Sequence, residues 1–123
     1  MSVKIRWHKE PQDSNYPAAA SYLSLIFKPK HVTHLVEKLR HANIEYFKAK
    51  DIFRASALSL LGVSNSHVIE NQKKIESGKK LSPILLVRDA EIGKVIIADG
   101  YHRLCSVYTF DEDALIPSKI VTR

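Results

Sequence analysis

Pro83-Ile84-Leu85-Leu86-Val87, followed by Val95-Ile96-Ile97-Ala98-Asp99-Gly100-Tyr101-His102-Arg103, decides the reading of this chain. The first run is continuously apolar, as expected of a strand covered on both faces. Residues 88–93 make a turn and 94–98 return, and so short a connection makes the pair antiparallel. The returning strand ends in an acid and a glycine. It then delivers a histidine and an arginine into a helix over 102–110, with Leu104, Cys105, Val107 and Tyr108 as apolar members. That arrangement suits an anion. The strand is rigid, Gly100 allows close backbone approach, and the helix start offers unpaired N–H groups beside two cationic donors.

Upstream, Val3, Ile5 and Trp7 alternate with Lys4 and Arg6 in a short strand or arm, which Pro11, Asp13, Ser14 and Asn15 break. Asn15, Tyr16 and Pro17 open a helix whose Ala18, Ala19, Tyr22, Leu23, Ile26 and Phe27 form a wide apolar face, closed by Pro29. Such a face reads as largely buried. A second helix over 31–42 carries Val32, Leu35, Val36 and Leu39 as one stripe, and 44–47 reads as a short strand. Asp51 is the expected cap of a third helix with Ile52, Phe53, Ala57, Leu58 and Leu61, stopped by Gly62. Ser64, Asn65 or Ser66 caps a fourth, with Val68, Ile69, Gln72 and Ile75, ended by Gly78. An acidic break at 111–113 precedes a last strand over 115–121, which Pro117 assigns to an edge or to a late start.

The 123 residues fit one domain with a real core. No apolar run approaches bilayer length, and the first residues carry no signal-peptide core. A single cysteine, Cys105, excludes an internal disulfide framework and makes a reducing cytoplasm the expected setting. The net charge of +6 favours anionic partners, either nucleotide, phosphate or nucleic acid. Yet the cations are scattered, the densest group being Lys73, Lys74, Lys79 and Lys80, with no arginine-rich tail. The basic balance alone therefore does not favour DNA.

Within the motif, Asp99 opposes a bare anion and makes better sense bonding a loop N–H, orienting a hydroxyl, or binding a metal together with the phosphate. It could equally cap the helix, with Arg103 paired to Glu112 or Asp113. His31, His34 and His41 could align on a helix as metal ligands. No adequate third ligand stands nearby apart from Glu37 or Glu45, so surface histidines explain them better and no metal centre is expected.

The segment from Ser66-His67-Val68 through Tyr108, about a third of the chain, resembles the ParB/sulfiredoxin superfamily. The shared pattern is a helix, a short basic loop, a Ser-Pro-Ile strand, a hairpin, and Asp-Gly-x-His-Arg opening a helix. Partition proteins of the ParB type read Gly-Glu-Arg-Arg here, sulfiredoxins Gly-Cys-His-Arg, and the free serine kinases on this fold Asp-Gly-His-His-Arg. Asp99-Gly100-Tyr101-His102-Arg103 is most similar to the last. The resemblance implies an α/β (α+β) domain, 1–123, with a mixed sheet and helices. Its helical part would span 1–62 and its motif-bearing α/β part 63–123. It also implies a nucleotide or phosphate site formed by Gly100, Tyr101, His102, Arg103 and His67, with a nucleoside di- or triphosphate and Mg²⁺ as expected cofactors; Lys80, just before the strand, is placed to reach the same anion.

Departures from the family narrow this further. Sulfiredoxin chemistry needs a thiolate where this chain has Tyr101, and a phenol cannot replace it. Cys105, two residues beyond Arg103 and on another face of the helix, reads as a small buried apolar residue. The 20 residues after Arg103 do not hold the helix-turn-helix of a partition protein, so partition-type DNA binding is not expected. A kinase reading needs a base for the acceptor hydroxyl, for which Asp51, Glu45, Glu70 and Asp99 are candidates, Asp99 and Asp51 foremost. The expectation is a nucleotide- or phosphate-binding domain, with phosphoryl transfer or hydrolysis left open. The alternative is a non-catalytic module that keeps the fold and binds DNA or a protein partner, which the apolar helix at 17–27 supports as an interface.

Overall fold

The computed structural model describes residues 4–59 and 65–123. Val3, the third helix's expected end at Leu61 and Gly62, and the candidate cap Ser64 lie outside the described residues. The chain runs β1 (Arg6–Trp7), α1 (Asn15–Leu23), α2 (Pro29–His41), β2 (Glu45–Lys48), α3 (Ala49–Ser56) and α4 (Ser66–Glu76). It continues through β3 (Lys80–Leu81), β4 (Ile84–Asp89), β5 (Lys94–Asp99), α5 (Tyr101–Phe110) and β6 (Leu115–Thr122). β2, β6, β4 and β5 form one sheet in that order. The outer pairs are antiparallel and the central β6–β4 pair is parallel. β1 and β3 pair in parallel as a separate ribbon. The domain is α/β with a mixed sheet, as the sequence predicts. No helix among the described residues is long and apolar enough to cross a membrane.

The two-residue period of β4 organises the core. Ile84 and Leu86 point to one face, where α3, α4 and α5 pack with Ile52, Val68, Ile75, Leu104 and Val107. Leu85 and Val87 point to the other, against Tyr16, Ala19 and Leu23 of α1 and the Val32, Leu35, Val36, Leu39 stripe of α2. Helices therefore cover both faces, which is why the strand has no polar alternation. The N-terminal part is no separate unit, since β2 pairs with β6 and α1 and α2 cover one face of the same sheet.

Four local expectations need correction. Pro29 does not close the first helix but opens the second, at a position where its missing N–H costs nothing. Lys28 before it is extended, at φ −67° and ψ 154°, and α1 has already stopped at Leu23. Its apolar face is consequently not largely buried: Tyr22 is 44% exposed, Leu25 83% and Ile26 46%. Asp51 is not the cap of α3. The amides of Ala49 and Lys50 are taken up by the main-chain carbonyls of Ala114 and Glu112 at 3.0 and 2.9 Å, and Asp51 sits in the first turn. β6 is central rather than an edge. Pro117 is accommodated because the parallel ladder to β4 begins only at Ser118.

Candidate functional site

The hairpin delivers the motif through a register slip. Leu86 faces Ile97, but Leu85 faces Asp99, so Ala98 is an extra residue that bends the end of β5. Gly100 follows at φ +111° and caps α5 with no side-chain hydrogen bond. A Cβ there would lie 2.4 Å from Ile84 Cγ2 and 2.8 Å from both Ile84 Cβ and Arg103 Nη2. The glycine is thus demanded by packing against β4 and by the arginine folded across it, before any ligand approaches.

Arg103 Nη2 lies 3.2 Å from Asp99 Oδ2, with both side chains about four-fifths buried, and 3.4 Å from the Pro83 carbonyl. This clamp joins the end of β5, the start of β4 and α5. Arg103 therefore pairs with Asp99 and not with Glu112 or Asp113. Asp113 is held by Lys50 at 2.6 Å, and the lysine beside it keeps its carboxyl below the usual range. Arg103 Nε is buried and donates to no acceptor among the described residues.

His102 packs on His67 with ring centroids 4.8 Å apart. Burial, then the neighbouring His67 and Arg103, hold its imidazole below the ordinary value. In the free protein it is a neutral hydrogen-bonding group rather than a cation. Tyr101 donates its hydroxyl to the Ser59 carbonyl, and burial followed by contact with Cys105 pushes the phenol up. Its side chain is thus anchored away from a ligand role. Cys105 is fully buried, as expected.

The sequence-predicted residues divide between two cavities. Asp99, Gly100, Tyr101 and His102 line one of about 440 Å³, walled by Ala18, Tyr22 and Leu58. Arg103 and Lys80 line the other, of about 150 Å³, with Lys74, Lys79, Gln12, Asn71, Leu81 and Ser82. The second cavity holds four cationic side chains, three neutral polar ones and no carboxylate. His67 lines neither and reaches the site only through His102. Asp51 lies apart, in a cavity beneath α3. Glu45 and Glu70 are exposed on β2 and α4 and line none of these cavities.

Lys74 belongs to the lysine cluster visible in the sequence, but Gln12, Asn71 and Ser82 carried no such signal. Ser82 is 5% exposed and donates its hydroxyl to Asn15 Oδ1, while the Gln12 amide donates to Ser82 Oγ at 3.0 Å. That network pins the arm before α1 against the start of β4 and so closes one wall. Among the described residues, no group of three His, Cys, Asp or Glu side chains could hold a metal. The donor set also fits Mg²⁺ poorly. Asp99 is the one carboxylate in the two cavities and is committed to Arg103, whereas Mg²⁺ needs near-ideal oxygen ligation. Compared with family models, with curated proteins and with solved structures, the chain finds no match, so the resemblance to the ParB/sulfiredoxin superfamily rests on its residue pattern.

Proposed function

We propose that the chain binds a nucleotide or another phosphate-bearing ligand, in keeping with its resemblance to the ParB/sulfiredoxin superfamily, and that it does so in the cytoplasm. The observation that carries this reading is the convergence of Lys74, Lys79 and Lys80 on one cavity with no acid in its lining, beside an Arg103 whose charge is already met by Asp99. Like charges gathered this closely repel one another, and an anion offsets that repulsion. The uncapped first turn of α5 faces the neighbouring cavity and adds attraction for negative charge there. Phosphoryl transfer is not part of this reading, because Asp99 is engaged by Arg103. Binding is.

Thermal unfolding with inorganic phosphate, ATP, ADP, CTP and GTP, each with and without Mg²⁺, tests it. Ligand at a hundredfold over Kd adds about 2.7 kcal/mol, or roughly 10 °C in a chain of this size. The double variant Lys74→Gln, Lys80→Gln should lose most of that shift. A native protein that none of these ligands stabilises, or a double variant that responds like it, overturns the reading.

One observation favours a second reading, that of a protein-interaction module that does no chemistry. Tyr22, Leu25, Ile26 and Leu58 are large exposed apolar side chains, and Tyr22 and Leu58 also line the larger cavity. A Leu25→Asp, Ile26→Asp variant that abolishes self-association or capture of a partner, while leaving phosphate binding intact, supports this reading. DNA is the less favoured partner, since that surface is apolar.

A further inference from the structure

The face of the sheet above the hairpin carries a cavity unrelated to the phosphate reading. It is lined by Phe47, Ile52, Leu86, Val95 and Ile120, with Ala55, Arg88 and Asp51 completing it and no residue from α5. Phe47, Val95 and Ile120 are only half-buried although they pack against the main core. The cavity measures about 170 Å³, and a second space of about 270 Å³ beside it shares Ala55, Arg88 and Val95 and is lined also by Lys94. An apolar cavity of about 150 Å³ suffices for a benzene ring.

The charges at its mouth are unequal in their commitments. Arg88 is exposed, and its side-chain hydrogen bond among the described residues runs to Thr122 Oγ1 at 2.9 Å, leaving most of its fork unused. Lys94 makes no ion pair among the described residues. Of the acids nearby, exposed Asp51 lies 3.9 Å from Arg54 and keeps its charge in the lining, while buried Asp89 shares Arg123 with Glu91 at 3.2 and 2.6 Å. Arg88 stands four residues along β4 from Ile84, about 13 Å by strand rise, so this cavity is separate from the Arg103 clamp.

The geometry points to a binding site for a small monocarboxylate with a flat apolar body, its ring among Phe47, Leu86, Val95 and Ile120 and its carboxylate on Arg88. The apolar walls supply affinity, and the planar guanidinium supplies the paired donors that a carboxylate accepts. Lys94 adds attraction at longer range.

Benzoate is the probe, and benzyl alcohol its uncharged counterpart, in two-dimensional amide NMR titrations of the full chain. Benzoate should give saturable shifts at Ala55, Val95 and Ile120, and should bind at least tenfold more tightly than benzyl alcohol. Arg88→Gln, at an exposed position, should remove that advantage and leave benzyl alcohol unaffected. Ala55→Phe should block both ligands. Shifts that do not saturate, that scatter over surface lysines, or that survive Arg88→Gln unchanged overturn the assignment. So does a concentration-dependent shift of the same amides without ligand, which would mean that a second copy of the chain covers the cavity.

Discussion

Replacing Gly100 by alanine separates two reasons for a glycine at the start of α5. One is packing: the new Cβ falls 2.4 Å from Ile84 Cγ2 and 2.8 Å from Ile84 Cβ, closer than real side chains come. The other is approach of a ligand to the backbone. At φ +111° an L residue is strained whatever the space, at about 1–3 kcal/mol. Overpacking adds about 1–3 kcal/mol, and part of the Asp99–Arg103 clamp goes as well, because Arg103 Nη2 occupies the same space at 2.8 Å. Gly100→Ala should therefore cost about 4 kcal/mol. That corresponds to a fall in Tm of roughly 15 °C, and to a urea midpoint shifted at unchanged slope. Ile84→Ala removes Cγ2, so in that background the additional cost of Gly100→Ala should shrink by about 1–3 kcal/mol in a double-mutant cycle. A Gly100→Ala protein of nearly native stability that no longer responds to phosphate would refute this reasoning. It would assign the glycine to ligand approach alone.

Further outcomes follow from the same geometry. His102 binds its proton less readily in the fold, so the unfolded chain protonates first. Its contribution to stability is present above pH 6.5 and lost as pH falls from there through its lower folded-state value, and His102→Gln should flatten this part of the stability curve. His67→Gln should raise the His102 titration midpoint measured by NMR, and an unchanged midpoint would count against coupling of the two rings. Lys119 is 1% exposed and reaches both the Arg40 carbonyl at 2.9 Å and Glu10 at 3.1 Å. Lys119→Ala should cost about 2–3 kcal/mol in urea unfolding, whereas Glu10→Gln, at an exposed carboxylate, should cost under about 1 kcal/mol; the reverse order would be inconsistent with this account. Ala57 closes α3 at φ +56°, so Ala57→Gly should raise stability by about 1 kcal/mol, and a loss would show that its methyl group matters more than its backbone.

What could be read in the sequence was local. The apolar run of β4, the short connection to β5 and the Asp-Gly break before α5 lie within 20 residues, and each is specified by its own neighbours. The stripe of α2 was legible for the same reason. Pro29 is ambiguous in the sequence because one stereochemical fact, a fixed φ without an N–H, permits both a helix end and a helix start. The difference lies in whether Leu25 and Ile26 are covered, and they remain 83% and 46% exposed. Lys119 could not be anticipated. An inward-facing lysine on a central strand is tolerated only because Tyr16, Arg40 and Glu10 come from three remote segments to meet it. Gln12 and Ser82 were hidden likewise, since the hydrogen bond that joins them spans 70 residues.

The motif itself carried more meaning than its separate residues. Its glycine and its acid are both accounted for by the fold, one by the close approach of Ile84 and the other by the clamp on Arg103. A strand-to-helix corner of this kind therefore leaves its own signature in sequence even where nothing is bound. What the corner does not explain is the lysine group, because the side chains of Lys74 and Lys80 are exposed and make no ion pair or hydrogen bond among the described residues. Their charge would be better dispersed if stability alone were at stake. The case for an anion thus passes from the conspicuous motif to these less conspicuous residues, and exchanging them for glutamine should leave Tm in the absence of ligand unchanged or higher. A marked loss of stability on that exchange would return the lysines to a structural role and leave the cavity without a reason to attract phosphate.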